Sequence, residues 1–83
     1  MVVPGEGVTF NPEVVNGKHL LRDQSAKDKF QVIADLFKLA LPTIPERGHF
    51  SREEIESAPP TSGLRIACKL YMEMKLAVAL AGI

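Results

Sequence analysis

Residues 51–70 have the sequence SREEIESAPPTSGLRIACKL, in which two helix starts stand on either side of two consecutive prolines. The first start is a capping box, because the hydroxyl of Ser51 can accept a hydrogen bond from the backbone amide of Glu54 while that glutamate reaches back. Phe50 just before the cap and Ile55 at the fourth helical position supply the hydrophobic contact that accompanies such a box. The sequence therefore predicts a short helix after Ser51.

The two prolines end this helix near Ala58 and precede the second start. Thr61 or Ser62 can cap the next helix, since either hydroxyl can accept a hydrogen bond from an amide of the first turn. The apolar residues of this helix are Leu64, Ile66, Ala67, Leu70, Tyr71 and Met74. Its end stays open, because residues 76–83, LAVALAGI, either prolong the helix through their alanines or form a C-terminal strand.

A longer helix is predicted before this pair. It starts after Ser25, whose hydroxyl can accept a hydrogen bond from the amide of Asp28, and Pro42 and Pro45 end it. Apolar residues at intervals of three and four predict its core face, which comprises Phe30, Ile33, Leu36, Phe37, Ala40 and Leu41.

The N-terminal residues 1–24 are predicted to form a partly extended arm. Val8 to Phe10 can be a short strand, and Asn16-Gly17 between apolar residues is the usual signal for a two-residue hairpin turn. The competing interpretation is a helix with Asn11 as cap and Pro12 at its first position, which Gly17 would weaken. The residues favour the hairpin.

These elements predict a mostly α fold. It is a three-helix, helix-turn-helix-like domain at residues 25–83, with a short N-terminal extended arm or hairpin at residues 1–24 and a possible C-terminal strand. With 83 residues, 46% of them hydrophobic and 24% charged, the chain has the composition of one globular domain. A domain of this size has a thin core, and one cysteine cannot form an internal disulfide, so we expect a homo-oligomer, a dimer.

Several function classes are disfavoured by the same composition. Cys68 alone argues against a secreted disulfide scaffold, and the N-terminal residues lack the pattern of an export signal, so we expect a cytoplasmic protein. The apolar run at residues 76–83 is too short to span a bilayer, and we expect no membrane partner.

We also expect no enzymatic activity, metal or cofactor. His19 and His49 have no second histidine or cysteine at metal-ligand spacing. Cys68 on an apolar helix is typical of a packed thiol, and Glu53 and Glu56 are typical of a solvated helix face rather than a catalytic pair. No Gly-rich phosphate loop occurs.

The stretch from Phe50 to Ile55, FSREEI, resembles the entry to the second helix of winged-helix regulators. Such helix-turn-helix proteins tend to have a capping hydroxyl about seven residues after the buried aliphatic, and further buried aliphatics about eleven and fifteen after it. Ser62, Ile66 and Leu70 stand at those places. The chain departs from the pattern at Pro59-Pro60 in the turn and at Glu73, where an aliphatic residue is usual.

This resemblance implies a DNA-binding transcription regulator in which the helix from Thr61 to Leu70 enters a groove of double-stranded DNA. Arg65 and Lys69, four residues apart, would contact phosphates or guanine. The other implied nucleic-acid-binding residues are Thr61 and Ser62, which would bind the backbone, and Lys75. Residues 76–83 would be the first strand of the wing. Residues 61–83 carry a net charge of +2 against −2 for residues 46–58, so a polyanion would meet the later stretch.

The alternative function is a small protein-interaction module, such as an adaptor, assembly factor or inhibitor. If the last helix continues to about residue 81, its apolar residues exceed what the domain can cover by itself. The predicted partner or dimer interface comprises Met72, Met74, Leu76 and Leu80.

Overall fold

The protein is mostly α-helical in the computed structural model, which describes residues 7–82. The helices are α1 (Pro12–Val15), α2 (Gln24–Ala40), α3 (Arg52–Ser57) and α4 (Gly63–Ala81), and the 3-10 turns are Gly17–Leu20 and Leu41–Thr43. Two short strands, β1 (Val8–Thr9) and β2 (His49–Phe50), pair antiparallel, with Val8 opposite Phe50 and Thr9 opposite His49. The first six residues of the predicted arm and Ile83, the last residue of the possible strand, lie outside the described residues.

The core lies between α2 and α4, which pack against each other more extensively than any other pair of elements in the described part of the chain. Ala26 near the start of α2 shares a groove with Ala77 and Ala81 near the end of α4, so the two helices run antiparallel. The buried residues of this core are Leu21, Phe30, Ala34, Phe37, Ala40, Ala67, Tyr71 and Met74.

Phe10 joins the N-terminal segment to this core. Its ring centroid lies 5.1 Å from that of Phe37, 5.6 Å from that of Phe50 and 5.2 Å from that of Tyr71. The Tyr71 hydroxyl also accepts a hydrogen bond of 3.0 Å from the backbone amide of Asn11. From residue 7 onward, the segment predicted as an arm is therefore part of the folded domain.

The predicted hairpin at Asn16-Gly17 is wrong, and the competing helix is correct. Asn11 caps α1 by accepting a hydrogen bond of 2.9 Å from the amide of Glu13, and Pro12 occupies the first turn. Gly17 is buried, and a Cβ at this position would lie 2.7 Å from Cγ2 of Val78. This glycine therefore permits close approach to α4 and makes no hairpin turn.

The possible C-terminal strand is not formed, because α4 continues through Ala81. Residues facing the core recur at intervals of three and four beyond Met74, where Val78 and Ala81 still pack against it. A strand would have broken these contacts. Residues 76–82 accordingly do not form the strand of a wing.

The predicted caps of the two later helices are confirmed. The Ser51 hydroxyl accepts a hydrogen bond of 3.1 Å from the Glu54 amide, and the Ser62 hydroxyl accepts one of 3.3 Å from the Arg65 amide. The second half of the predicted capping box is not formed, because the Glu54 carboxylate forms an ion pair with Arg47 instead of accepting from the Ser51 amide.

The start and the core face of α2 differ from the prediction. Asp23 is the residue before α2, and the Ser25 hydroxyl donates to the Asp23 carboxylate at 2.7 Å instead of capping the helix. Leu36 and Leu41, which were predicted in the core, are exposed. The buried face of α2 is set by Phe30, Ala34, Phe37 and Ala40, and Leu36 points away from it.

Candidate functional site

The N-terminal end of α4 holds the first predicted DNA-binding residues. Ser62 is half-buried, and its hydroxyl oxygen is engaged with the Arg65 amide as the helix cap. Its own amide donates to the carbonyl of Pro59 at 2.9 Å, which closes the turn that the two prolines form. Thr61 is exposed. Of these two hydroxyls, that of Thr61 is the more accessible to a ligand.

Arg65 is half-buried and turned toward α3. Its Nη1 donates to the backbone carbonyl of Ile55 at 3.1 Å and to that of Glu56 at 3.5 Å. The last carbonyls of a helix have no partner within it and carry the negative end of the helix dipole, so a guanidinium here stabilises the end of α3. Arg65 therefore does not extend into solvent as a pair with Lys69.

We expect the substitution Arg65→Ala to lower the free energy of unfolding by about 1.5–3 kcal/mol, the usual range for hydrogen bonds to charged groups. The reason is the loss of both contacts to α3. Lys69→Ala, four residues later on the exposed side, is the matched control and should change stability by less than about 0.5 kcal/mol. Urea unfolding followed by circular dichroism measures both, and equal stability of the two variants would contradict a capping role for Arg65.

The two remaining cations of the predicted DNA surface, Lys69 and Lys75, are exposed. The salt bridges among residues 7–82 join Arg47 to Glu54 and Arg52 to Glu56, so neither lysine has an ion-pair partner there. Glu73 lies between them on α4 and is also exposed. The outward side of α4 therefore carries unneutralised charge of both signs.

Three of the four residues of the predicted protein interface form an exposed apolar strip on α4. The exposed fractions are 48% for Met72, 60% for Leu76 and 59% for Leu80, and we call this strip the α4 outer face. Met74 is fully buried in the domain core and does not belong to it. Two positions along a helix turn a side chain by more than half a circle, which separates Met74 from Met72.

The predicted burial of Ile66 is also wrong. The resemblance to winged-helix proteins implies that it is buried, but its side chain is exposed. Ala67 and Tyr71 set the core direction of α4, and Ile66 precedes Ala67 by one position, a rotation of about 100°. Leu70, which precedes Tyr71 by one position, is half-buried against the core.

A second exposed apolar strip lies on α2 and was missed by the sequence interpretation. It consists of Val32, Leu36 and Leu39, all exposed, and we call it the α2 outer face. The spacing of four and three residues was visible in the sequence as a second apolar stripe beside the one that contains Phe30 and Phe37. One apolar stripe of α2 is therefore buried in the core and the other is exposed.

The residues considered as catalytic or metal-binding candidates lie apart from one another. Cys68 is buried; desolvation raises the pKa of its thiol, and the positive charge of Arg65 opposes this shift. His49 is exposed, with its Nδ1 2.6 Å from the Thr9 hydroxyl, and His19 lies against the carbonyl of Asn16. Among residues 7–82, no three histidine, cysteine, aspartate or glutamate side chains come close enough together to hold a metal ion.

Next to the α4 outer face is an open groove of about 470 Å³ between the start of α2 and the end of α4. Its apolar lining residues are Leu21, Ala26, Ala77, Leu80 and Ala81. Arg22 and Asp23 also line it. The groove therefore extends the apolar surface around Leu80 toward α2.

No helix in the described part of the chain is both long enough and apolar enough to cross a bilayer. Comparison of the chain with protein-family models, curated protein sequences and solved structures finds no significant match.

Proposed function

We propose that the protein is a protein-interaction module that binds another protein chain through the α4 outer face. The observation that supports this proposal is the strip of three large apolar side chains, Met72, Leu76 and Leu80, left exposed on the longest helix among residues 7–82. Apolar side chains spaced three or four residues apart are the usual anchors when one helix packs against another.

The free energy of binding at the α4 outer face is expected to come from the burial of apolar side chains. Covering an exposed leucine or methionine contributes about 1.5–3 kcal/mol when it is buried completely, and each of these side chains is already partly covered by its own helix. Three such contacts, together with the groove beside Leu80, give the α4 outer face enough apolar surface to serve as the centre of a binding site. Lys69 and Lys75 would then lie at its polar rim.

Site-specific photocrosslinking in the native host tests this proposal. A diazirine analogue of methionine at position 72 should give a crosslinked protein adduct. Leu76→Glu should reduce the adduct by about tenfold or more, because a carboxylate in an apolar contact costs more than 1.4 kcal/mol. Ser57→Glu, which places the same charge at an exposed position of α3, is the control and should leave the yield unchanged. An adduct that survives Leu76→Glu, or no adduct at all, would refute the proposal.

Binding to double-stranded DNA is the second candidate, supported by the exposed, unpaired Lys69 and Lys75 on one helix. Two lysines neutralise few phosphates, so the binding constant should fall with salt with a log–log slope of only about −2 per chain. A salt titration of duplex binding with the native protein and with Lys69→Ala tests it. Binding that is absent at low salt, or unchanged in the variant, would exclude this role.

A further inference from the structure

The two outer faces of the molecule carry opposite patterns of charge. On α2, Lys38 precedes Leu39 but lines a groove with Phe10 and Pro12 on another side of the helix. The charged residues three or four positions from a residue of the α2 outer face are Asp28, Asp35 and Lys29. All three side chains are exposed. Asp28 and Asp35 accept hydrogen bonds of 2.9 and 2.8 Å from glutamine amides, and neither has an ion-pair partner among residues 7–82.

On α4 the signs are reversed. Lys75 precedes Leu76, Lys69 lies three residues before Met72, and Glu73 is the one anion beside the strip. The α2 outer face therefore has two acids and one base, and the α4 outer face has two bases and one acid. Pairing two α2 outer faces would bring together a net charge of −2 and pairing two α4 outer faces one of +2, whereas pairing one with the other gives zero.

The two strips also match in length. Val32 to Leu39 advances seven residues along α2 and Met72 to Leu80 eight residues along α4, which correspond to about 10 and 12 Å of helix. A single molecule cannot bring them together, because α2 and α4 already pack against each other through the sides that hold Phe37 and Tyr71.

We propose that the occupant of the α4 outer face is a second copy of this chain, bound through its α2 outer face. This inference rests on the proposed function, since it names the partner of the same surface. The contact is head-to-tail: each molecule offers one face and receives the other, so the assembly closes into a ring or extends as an open chain.

Molar mass measured by light scattering on purified protein tests the proposal with two variants. Leu36→Glu blocks the α2 outer face and Leu76→Glu blocks the α4 outer face, and both positions are exposed, so the variants should stay folded. The native protein should exceed its monomer mass of 9.1 kDa and grow with concentration. Each variant alone should be a monomer, whereas an equimolar mixture should form a dimer, because each retains the face that the other lacks.

Three results would overturn this inference. If the Leu36→Glu variant alone still forms a dimer, two α4 outer faces pair with each other. If the equimolar mixture of the two variants stays monomeric, the head-to-tail contact is excluded. Native protein that is monomeric up to millimolar concentration would mean that the partner is a different protein. In that last case the position-72 adduct in the host distinguishes the two proposals: an adduct to another protein would retain the proposed function and refute self-association.

Discussion

Replacement of Met74 by lysine is expected to unfold the domain at room temperature. Met74 is 0% exposed, and no charged residue is buried among residues 7–82, so the core supplies no carboxylate to pair with an ammonium group. Burying an unpaired charge costs several kcal/mol, comparable to the whole stability of a small domain. Far-ultraviolet circular dichroism with thermal scanning should show reduced helix content and no cooperative transition.

Met72→Lys is the matched control for this prediction. It makes the same chemical change two positions earlier on the same helix, where the side chain already faces solvent. Measured at a dilution at which the native protein is monomeric, its unfolding free energy should stay within about 0.5 kcal/mol of the native value. If both variants melted alike, the assignment of Met74 to the core and Met72 to the outer face would be incorrect.

The second large effect is expected for Phe37→Ala, which should lower the free energy of unfolding by about 3–5 kcal/mol. Phe37 is 1% exposed, and its ring contacts Phe10 at 5.1 Å and Tyr71 at 6.2 Å between centroids. The substitution leaves a cavity where α2, α4 and the N-terminal segment meet, and it also removes two aromatic pairs.

Chemical denaturation in urea measures this loss as a lower midpoint. Leu39→Ala on the same helix removes a side chain that is 73% exposed. At a dilution at which the native protein is monomeric, it should leave the midpoint nearly unchanged. In a domain of this size each kcal/mol shifts the melting temperature by about 4–8 °C, so the two variants should differ by more than 10 °C. A difference below 1 kcal/mol would contradict the central place of Phe37 in the core.

Local signals in the sequence were sufficient for the later helix starts. Ser51 and Ser62 each accept a hydrogen bond from an amide three residues on, and this chemistry is complete within one turn. The local sequence does not determine the end of α4, because alanine favours a helix while the alternating pattern of residues 76–82 also fits a strand. The segment is a helix because Val78 and Ala81 then contact the core, and those contacts are not local.

Other features depended on distant parts of the chain. Asn16-Gly17 has the composition of a hairpin turn, but Gly17 is required because Val78, far along the chain, packs against its backbone. Arg65 was expected to face solvent with Lys69, yet the free carbonyls at the end of α3 bind its guanidinium. Spacing alone also could not assign Leu36, because α2 has two apolar stripes and only the packed structure shows which of them is buried.

The hydrogen bond from the Asn11 amide to the Tyr71 hydroxyl joins residues 60 positions apart. During synthesis on the ribosome, the early segment that contains Phe10 has no complete binding surface until Tyr71 has emerged. Closing so long a loop is slow compared with forming a helix, so the last folding step should be the docking of this segment. Chains that stop before Tyr71 should therefore leave the Phe10 ring without one of its three aromatic neighbours.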